Sequence, residues 1–161
     1  MGKTRRSLGT LATLTITIVF AAIAVPGCVA ASLGGDVTSV EADRAKMEAS
    51  LQTTSTEHYA VHEMHAPNNL VVREYVSPAG NVFGVAWQGP SRPDLHQVLG
   101  TYFDSFNKAA QARKLQRRGR GPLVIQQDGI VVEMGGHARA FFGRAYIPQS
   151  VPSGVQLEEI R

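Results

Sequence analysis

Six short segments rich in β-branched and aromatic residues, each bounded by turn residues, constrain the fold of this chain more than any other feature. Strands of this length joined by tight turns pair as antiparallel hairpins. Asp128-Gly129, between the fourth and fifth segments, is a strong hairpin turn sequence. We therefore expect one or two antiparallel sheets of about six strands, formed by residues 58–65, 70–76, 82–88, 123–127, 130–134 and 138–147.

The third segment carries a clear alternation of side chains. Phe83, Val85 and Trp87 are predicted to share one face of the sheet, and Trp87, like most tryptophans in strands, is expected in the core. Gly84 and Ala86 fall on the other face, where small side chains would let a helix pack closely. After the fifth segment, Gly135-Gly136 is expected to form a β-bulge or a tight bend.

Two helices are predicted between the strands. The first begins at Thr38, which forms a capping box with Glu41, and runs for about a dozen residues to the polar cluster 53–56. The second follows a capping box of Ser91 and Asp94. Its apolar residues recur at helical spacing, which predicts one long amphipathic helix that closes the core: Leu95, Val98, Leu99, Tyr102, Phe106, Ala109 and Ala110. The predicted fold is therefore α+β, in the order α-βββ-α-βββ.

The first 31 residues have the three parts of a secretory signal. Lys3, Arg5 and Arg6 precede an apolar run from Leu8 to Val25, and small residues follow. We expect cleavage before Ser32, which leaves residues 32–161 as a single exported domain. An alternative is a lipoprotein signal, residues 25–28, in which Cys28 is acylated and tethers the domain to a membrane.

Charge argues against nucleic acid as a partner. Three of the 16 basic residues and none of the 13 acidic ones lie in residues 1–31, so the remainder carries 13 of each sign. The densest basic cluster is a candidate surface for anionic groups, although cations also favour a helix C-terminus. This cluster comprises Arg113, Lys114, Arg117, Arg118 and Arg120.

The residues indicate no metal site, no cofactor and no catalytic motif. His58, His62 and His65 fall in a predicted strand, where residues four apart lie about 13 Å from each other, and His62 and His65 point to opposite faces. A small periplasmic hydrolase remains an alternative. It would require His96 or His137 beside a serine and a carboxylate.

Several segments resemble an uncharacterised family of exported proteobacterial proteins, domain of unknown function 2844. These are Leu33-Gly34-Gly35-Asp36, the stretch from Ser39 to Arg44, the stretch from Val72 to Trp87, and Gly89-Pro90 with Pro93-Asp94-Leu95. The resemblance implies a periplasmic or envelope location in a Gram-negative bacterium and assigns no activity. We expect a non-enzymatic envelope module that binds a protein or surface partner, with membrane contact only if Cys28 is acylated.

Overall fold

The computed structural model describes residues 33–116 and 121–161. Seven strands form one antiparallel sheet in the order β1-β2-β3-β4-β7-β6-β5. The α+β class and the antiparallel pairing are confirmed, whereas the strand count and order differ from the prediction. The strands are β1 Ser50–Ser55, β2 Ala60–His65, β3 Val71–Val76, β4 Val82–Gly89, β5 Leu123–Gln127, β6 Ile130–His137 and β7 Ala140–Tyr146.

The strand β1 was not predicted from the sequence. The first helix, α1 (Thr38–Lys46), is shorter than predicted, because Glu48 has a φ of 51° and the chain turns back there. The residues beyond the turn pair with β2 in continuous register. The predicted capping box is also wrong, since the side chain that accepts the Thr38 N–H, at 2.9 Å, is that of Asp36.

The predicted long helix is interrupted. It divides into α2 (Leu95–Leu99), a 3₁₀ turn over Gly100–Tyr102, and α3 (Phe103–Gln116). Gly100 has a φ of 50°, a conformation that ends an α-helix. Asp94 rather than Ser91 caps α2, by accepting the His96 N–H at 2.9 Å.

One face of the sheet, the helix face, packs against all three helices. Its core includes Val40 of α1, Leu99 of α2 and Phe106 of α3. Trp87 is 2% exposed in this core, as predicted. A Cβ on Gly143 would lie 2.3 Å from the Trp87 ring, so only glycine leaves space for the indole.

The opposite face is packed by residues 148–161, which we call the cover segment. Ile160, fully buried, lies against Gly84, where the sequence predicted a helix. Arg144 holds the segment in place: its Nη1 donates to the Leu157 carbonyl at 2.6 Å, and its Nη2 is 2.9 Å from Glu133 Oε2. A second buried cluster therefore lies on this cover face: Tyr75, Phe83, Ala86, Val131, Tyr146 and Ile160.

A register shift explains why Phe83 lies on the cover face and not with Val85 and Trp87. Val76 pairs with Val82 but Tyr75 pairs with Gly84, so Phe83 is the extra residue of a β-bulge. The Gly135-Gly136 pair forms neither the bulge nor the tight bend that was expected, because both residues pair with β7 in unbroken register. It lies inside β6, and the chain turns at residues 138–139.

Candidate functional site

A buried pair of carboxyl groups joins α1 to the sheet. Asp43 is 1% exposed and Glu74 is 2% exposed. Glu74 occupies a helix-face position of β3 between Val72 and Val76, so the strand geometry buries its side chain. Asp43 lies one helical turn beyond Val40, on the stripe of α1 that packs on the sheet.

The two carboxyl groups lie close enough for each to influence the pKa of the other. Burial raises the pKa of Asp43 to about 6 and raises that of Glu74 well above its ordinary value, to which the nearby Asp43 charge contributes. Gln97 Nε2 donates to Asp43 Oδ1. The other oxygens, Asp43 Oδ2 and Glu74 Oε2, receive no N–H or hydroxyl donor from the described residues. We therefore assign the proton of the pair to Glu74, whose pKa is raised more strongly than that of Asp43.

A half-buried histidine lies beside this pair. His62 lies opposite Glu74 on β2, and burial lowers the pKa of its imidazole. His62 Nδ1 lies 3.1 Å from the Thr53 hydroxyl. Because both side chains are almost fully buried, the pair serves as an internal anchor for α1.

The accessible candidate site is a polar groove of about 520 Å³ on the cover face, beside the cover segment and open toward β1. We call it the cover-face groove. Its volume falls within the usual range for ligand sites, about 300–1,000 Å³. Its lining is mostly polar and aromatic: Gln52, Thr54, Tyr59, Val61, Glu63, Arg73, Tyr75, Gln88, Glu159 and Arg161.

An ion network on neighbouring strands forms the floor of the groove. Glu63 of β2 pairs with Arg73 directly across on β3, and its other oxygen lies 2.6 Å from His65 Nε2. Burial opposes ionisation of Glu63, but the hydrogen bonds from Arg73 and His65 outweigh it and lower the pKa of Glu63. Arg73 Nη1 also donates to the Arg161 carbonyl at 3.2 Å, which fixes the guanidinium against the cover segment.

Two tyrosines form the wall of the groove. The Tyr59 hydroxyl donates to Glu159 Oε2 at 2.6 Å, and this hydrogen bond raises the pKa of Tyr59 to about 12. The Tyr75 hydroxyl donates to the Arg161 carbonyl at 2.9 Å and accepts the Arg161 N–H at 3.0 Å. These contacts hold both rings in position without a ligand.

An exposed aromatic ring borders the groove. Phe142 of β7 lies directly across from Gln88 of β4, and 53% of its surface is exposed. Its ring covers Gly135, where an added Cβ would lie 2.8 Å from Phe142 Cζ. Phe142 is therefore held against the sheet while one side of the ring faces solvent.

The candidates from the sequence are dispersed. His62 and His65 lie on opposite faces of β2, as predicted, and His58 lies before the strand, near Gly154. Within the described ranges, no group of three His, Cys, Asp or Glu side chains is arranged to hold a metal ion. None of the described helices has both the length and the apolar character needed to span a bilayer.

Among the described residues, no hydrogen bond joins the side chain of His96 or His137, the histidines of the hydrolase alternative, to a serine or a carboxylate. The His96 ring packs on Phe103 at 5.1 Å between centroids, and His137 Nδ1 lies 3.3 Å from the adjacent Ala138 carbonyl. In the basic cluster, Arg113 and Lys114 are exposed near the end of α3. Cys28 and the three remaining basic residues lie outside the described residues: Arg117, Arg118 and Arg120.

Neither the acid pair nor the groove was predicted from the sequence. The signal for the pair was Glu74, an acid at a position of β3 whose neighbours on the same face, Val72 and Val76, are apolar. The signal for the groove was opposite charge at cross-strand positions, because the short turn after β2 places Glu63 opposite Arg73. The contacts of the cover segment had no such signal, since they join residues far apart in sequence.

The architecture defines a class of small α+β domain in which one antiparallel sheet is packed by helices on one face and by a non-helical segment on the other. The model of a protein family described as "Protein of unknown function (DUF2844)" matches residues 29–160. The chain belongs to this family. No match was found among curated proteins or among solved structures.

Proposed function

We propose that the mature chain is a non-enzymatic, exported module of the cell envelope that binds a protein partner through the cover-face groove and Phe142. Export rests on the signal-like residues 1–31. Partner binding rests on one observation: an exposed aromatic ring borders a groove whose tyrosine and arginine side chains are already fixed.

The residue types of this surface support a protein partner. Tyrosine, arginine and phenylalanine are enriched in protein interfaces, and tyrosine and arginine are frequent hot spots. Arg73, Tyr59 and Tyr75 are held by hydrogen bonds to the cover segment, so little conformational entropy remains to be lost on binding. Phe142 contributes the apolar contact that the polar groove lacks.

The test uses residues 32–161 to capture envelope proteins by crosslinking, followed by affinity measurements with each purified candidate. Phe142→Ala should weaken binding by about tenfold, the effect of losing one aromatic hot spot. The matched control is Leu115→Ala, because Leu115 is also an exposed apolar residue, 90% exposed, but lies on α3 near the basic cluster. Loss of affinity with the Leu115 variant and not with the Phe142 variant would place binding at the end of α3 and refute the proposal.

A separate measurement tests export and processing. The intact mass of the native protein should correspond to a chain that begins at Ser32. A mass that includes an acylated Cys28 would support the membrane-tethered lipoprotein instead. An uncleaved chain retained in the cytoplasm would overturn the envelope assignment.

A further inference from the structure

The free edge of the sheet at β1 lacks the features that normally prevent strand pairing. Among the strands of residues 33–116 and 121–161, β1 is hydrogen-bonded only to β2. Its six residues, Ser50–Ser55, include no charge and no proline, and its pairing with β2 shows no bulge. Natural edge strands usually contain a charge, a proline or a bulge, because an edge without them presents free N–H and C=O groups to another strand.

We propose that β1 pairs antiparallel with β1 of a second copy of this chain, so that the two sheets join across a two-fold axis. A two-fold contact places the strand opposite itself, and like charges directly opposite each other are destabilising. Because all six residues are neutral, no register within Ser50–Ser55 opposes like charges. This strand can therefore pair with itself without electrostatic cost.

The side chains of β1 connect this pairing to the groove. Gln52 and Thr54 are exposed and line the cover-face groove at its open side. In the dimer, the equivalent residues of the second copy extend the same face, and the two grooves form one continuous surface. This consequence rests on the proposed function, whereas dimerisation itself does not.

The size of the contact determines how strong the dimer is. Stable protein interfaces bury about 1,200–2,000 Å² in total. Six paired residues on one strand bury less than this, so we expect a reversible dimer with a dissociation constant in the micromolar range. The other edge of the sheet, β5, provides the control position.

Sedimentation equilibrium of purified residues 32–161 tests the pairing. The wild-type protein should pass from monomer to dimer between about 1 µM and about 500 µM, the range expected for a contact of this size. Gln52→Lys/Thr54→Lys should remain monomeric, because it places four lysines along the shared edge. Mixing it with Gln52→Glu/Thr54→Glu should restore a heterodimer, since opposite charges then face each other.

The controls make the result decisive. Gln126→Lys, which adds one lysine to β5, should dimerise like the wild type. Each variant is first checked for the wild-type circular dichroism spectrum and melting temperature, so that loss of the dimer is not loss of the fold. A wild-type monomer at about 1 mM, a dimer that survives the double lysine substitution, or a dimer lost in the β5 variant would each overturn the proposal.

The measurement needs no binding partner, so the two proposals can fail separately. A monomer whose partner affinity still depends on Phe142 would refute only the dimer. A β1 dimer whose partner affinity is unaffected by Phe142→Ala would refute only the proposed function.

Discussion

Replacing Asp43 with Asn should remove much of the pH dependence of the stability of this protein. The buried acid pair consists of Asp43 and Glu74, and the pKa of each carboxyl is raised by burial. Asn keeps the size of Asp43 and cannot ionise. Its amide can still exchange hydrogen bonds with Gln97, whose own amide can turn to present the complementary atom.

The sign follows from proton linkage. A raised pKa means that the native state retains a proton that the unfolded chain releases, so stability falls as pH rises. The decline begins near the unfolded pKa of Asp43, 3.8, and for this group is complete above about 6. The shift corresponds to about 3 kcal/mol. Glu74 acts in the same direction at higher pH, whereas His62, whose pKa is lowered, gives stability that rises with pH.

The assay is urea unfolding followed by the fluorescence of Trp87, the single tryptophan, which is 2% exposed. The free energy of unfolding of Asp43→Asn minus that of the wild type should increase by about 3 kcal/mol from about pH 4 to about pH 8. The titrating groups other than Glu74 largely cancel in this difference. Glu74 changes the difference in the same direction, because loss of the Asp43 charge lowers its pKa and so weakens its own pH dependence. Parallel pH profiles for the two proteins would refute the assignment of a buried, protonated pair.

The matched control for this experiment is Asp128→Asn. Asp128 is an exposed aspartate in the β5–β6 turn with a φ of 50°, and Asn-Gly suits the same turn as Asp-Gly. Its pH profile should follow that of the wild type. If it loses the same pH dependence as Asp43→Asn, the effect does not come from the buried pair.

Three further predictions concern packing and the groove. Gly143→Ala should destabilise the protein by about 3 kcal/mol and shift the Trp87 emission, because the new methyl group overlaps the indole ring. Ile160→Ala should cost about 3 kcal/mol in urea unfolding and expose the cover segment to limited proteolysis, since Ile160 is fully buried. Glu159→Gln should lower the Tyr59 pKa from about 12 toward 10.0, measured by phenolate absorbance, because the carboxylate favours the protonated phenol.

Each of these predictions has a contrary result. A Gly143 variant as stable as the wild type would mean that the indole does not fill the space above this glycine. Unchanged protease resistance in the Ile160 variant would show that the cover segment is held without its buried side chain. If the pKa of Tyr59 is the same in Glu159→Gln as in the wild type, the hydrogen bond between these two side chains is refuted.

Most strands of the sheet could be predicted from local sequence patterns. Strands β2 to β7 begin within two residues of the predicted segments, because alternating apolar residues and turn sequences such as Asp128-Gly129 act over short distances. Strand β1 could not be predicted in this way. Its residues, Ser-Leu-Gln-Thr-Thr-Ser, have little apolar alternation, since an edge strand with an exposed face needs little burial.

The candidate site was less predictable than the fold. Glu74 stands out as an acid on an apolar face, but the sequence does not reveal that Asp43 meets it from a helix 31 residues earlier. The bulge at Phe83 also changes which side chains face the cover segment, and a strict period of two cannot anticipate an extra residue.

The sequence by itself determined the α+β class, the hairpins and the burial of Trp87, because these depend on residue type and on spacing between near neighbours. Only the tertiary structure decided that α1 is anchored through a buried acid pair and that residues 148–161 close one face of the sheet beside an open groove. These features depend on contacts between distant parts of the chain, such as Arg144 with Leu157 and Tyr59 with Glu159. The geometry of these contacts depends on how the completed sheet twists and packs. The conformational preferences of neighbouring residues do not determine it.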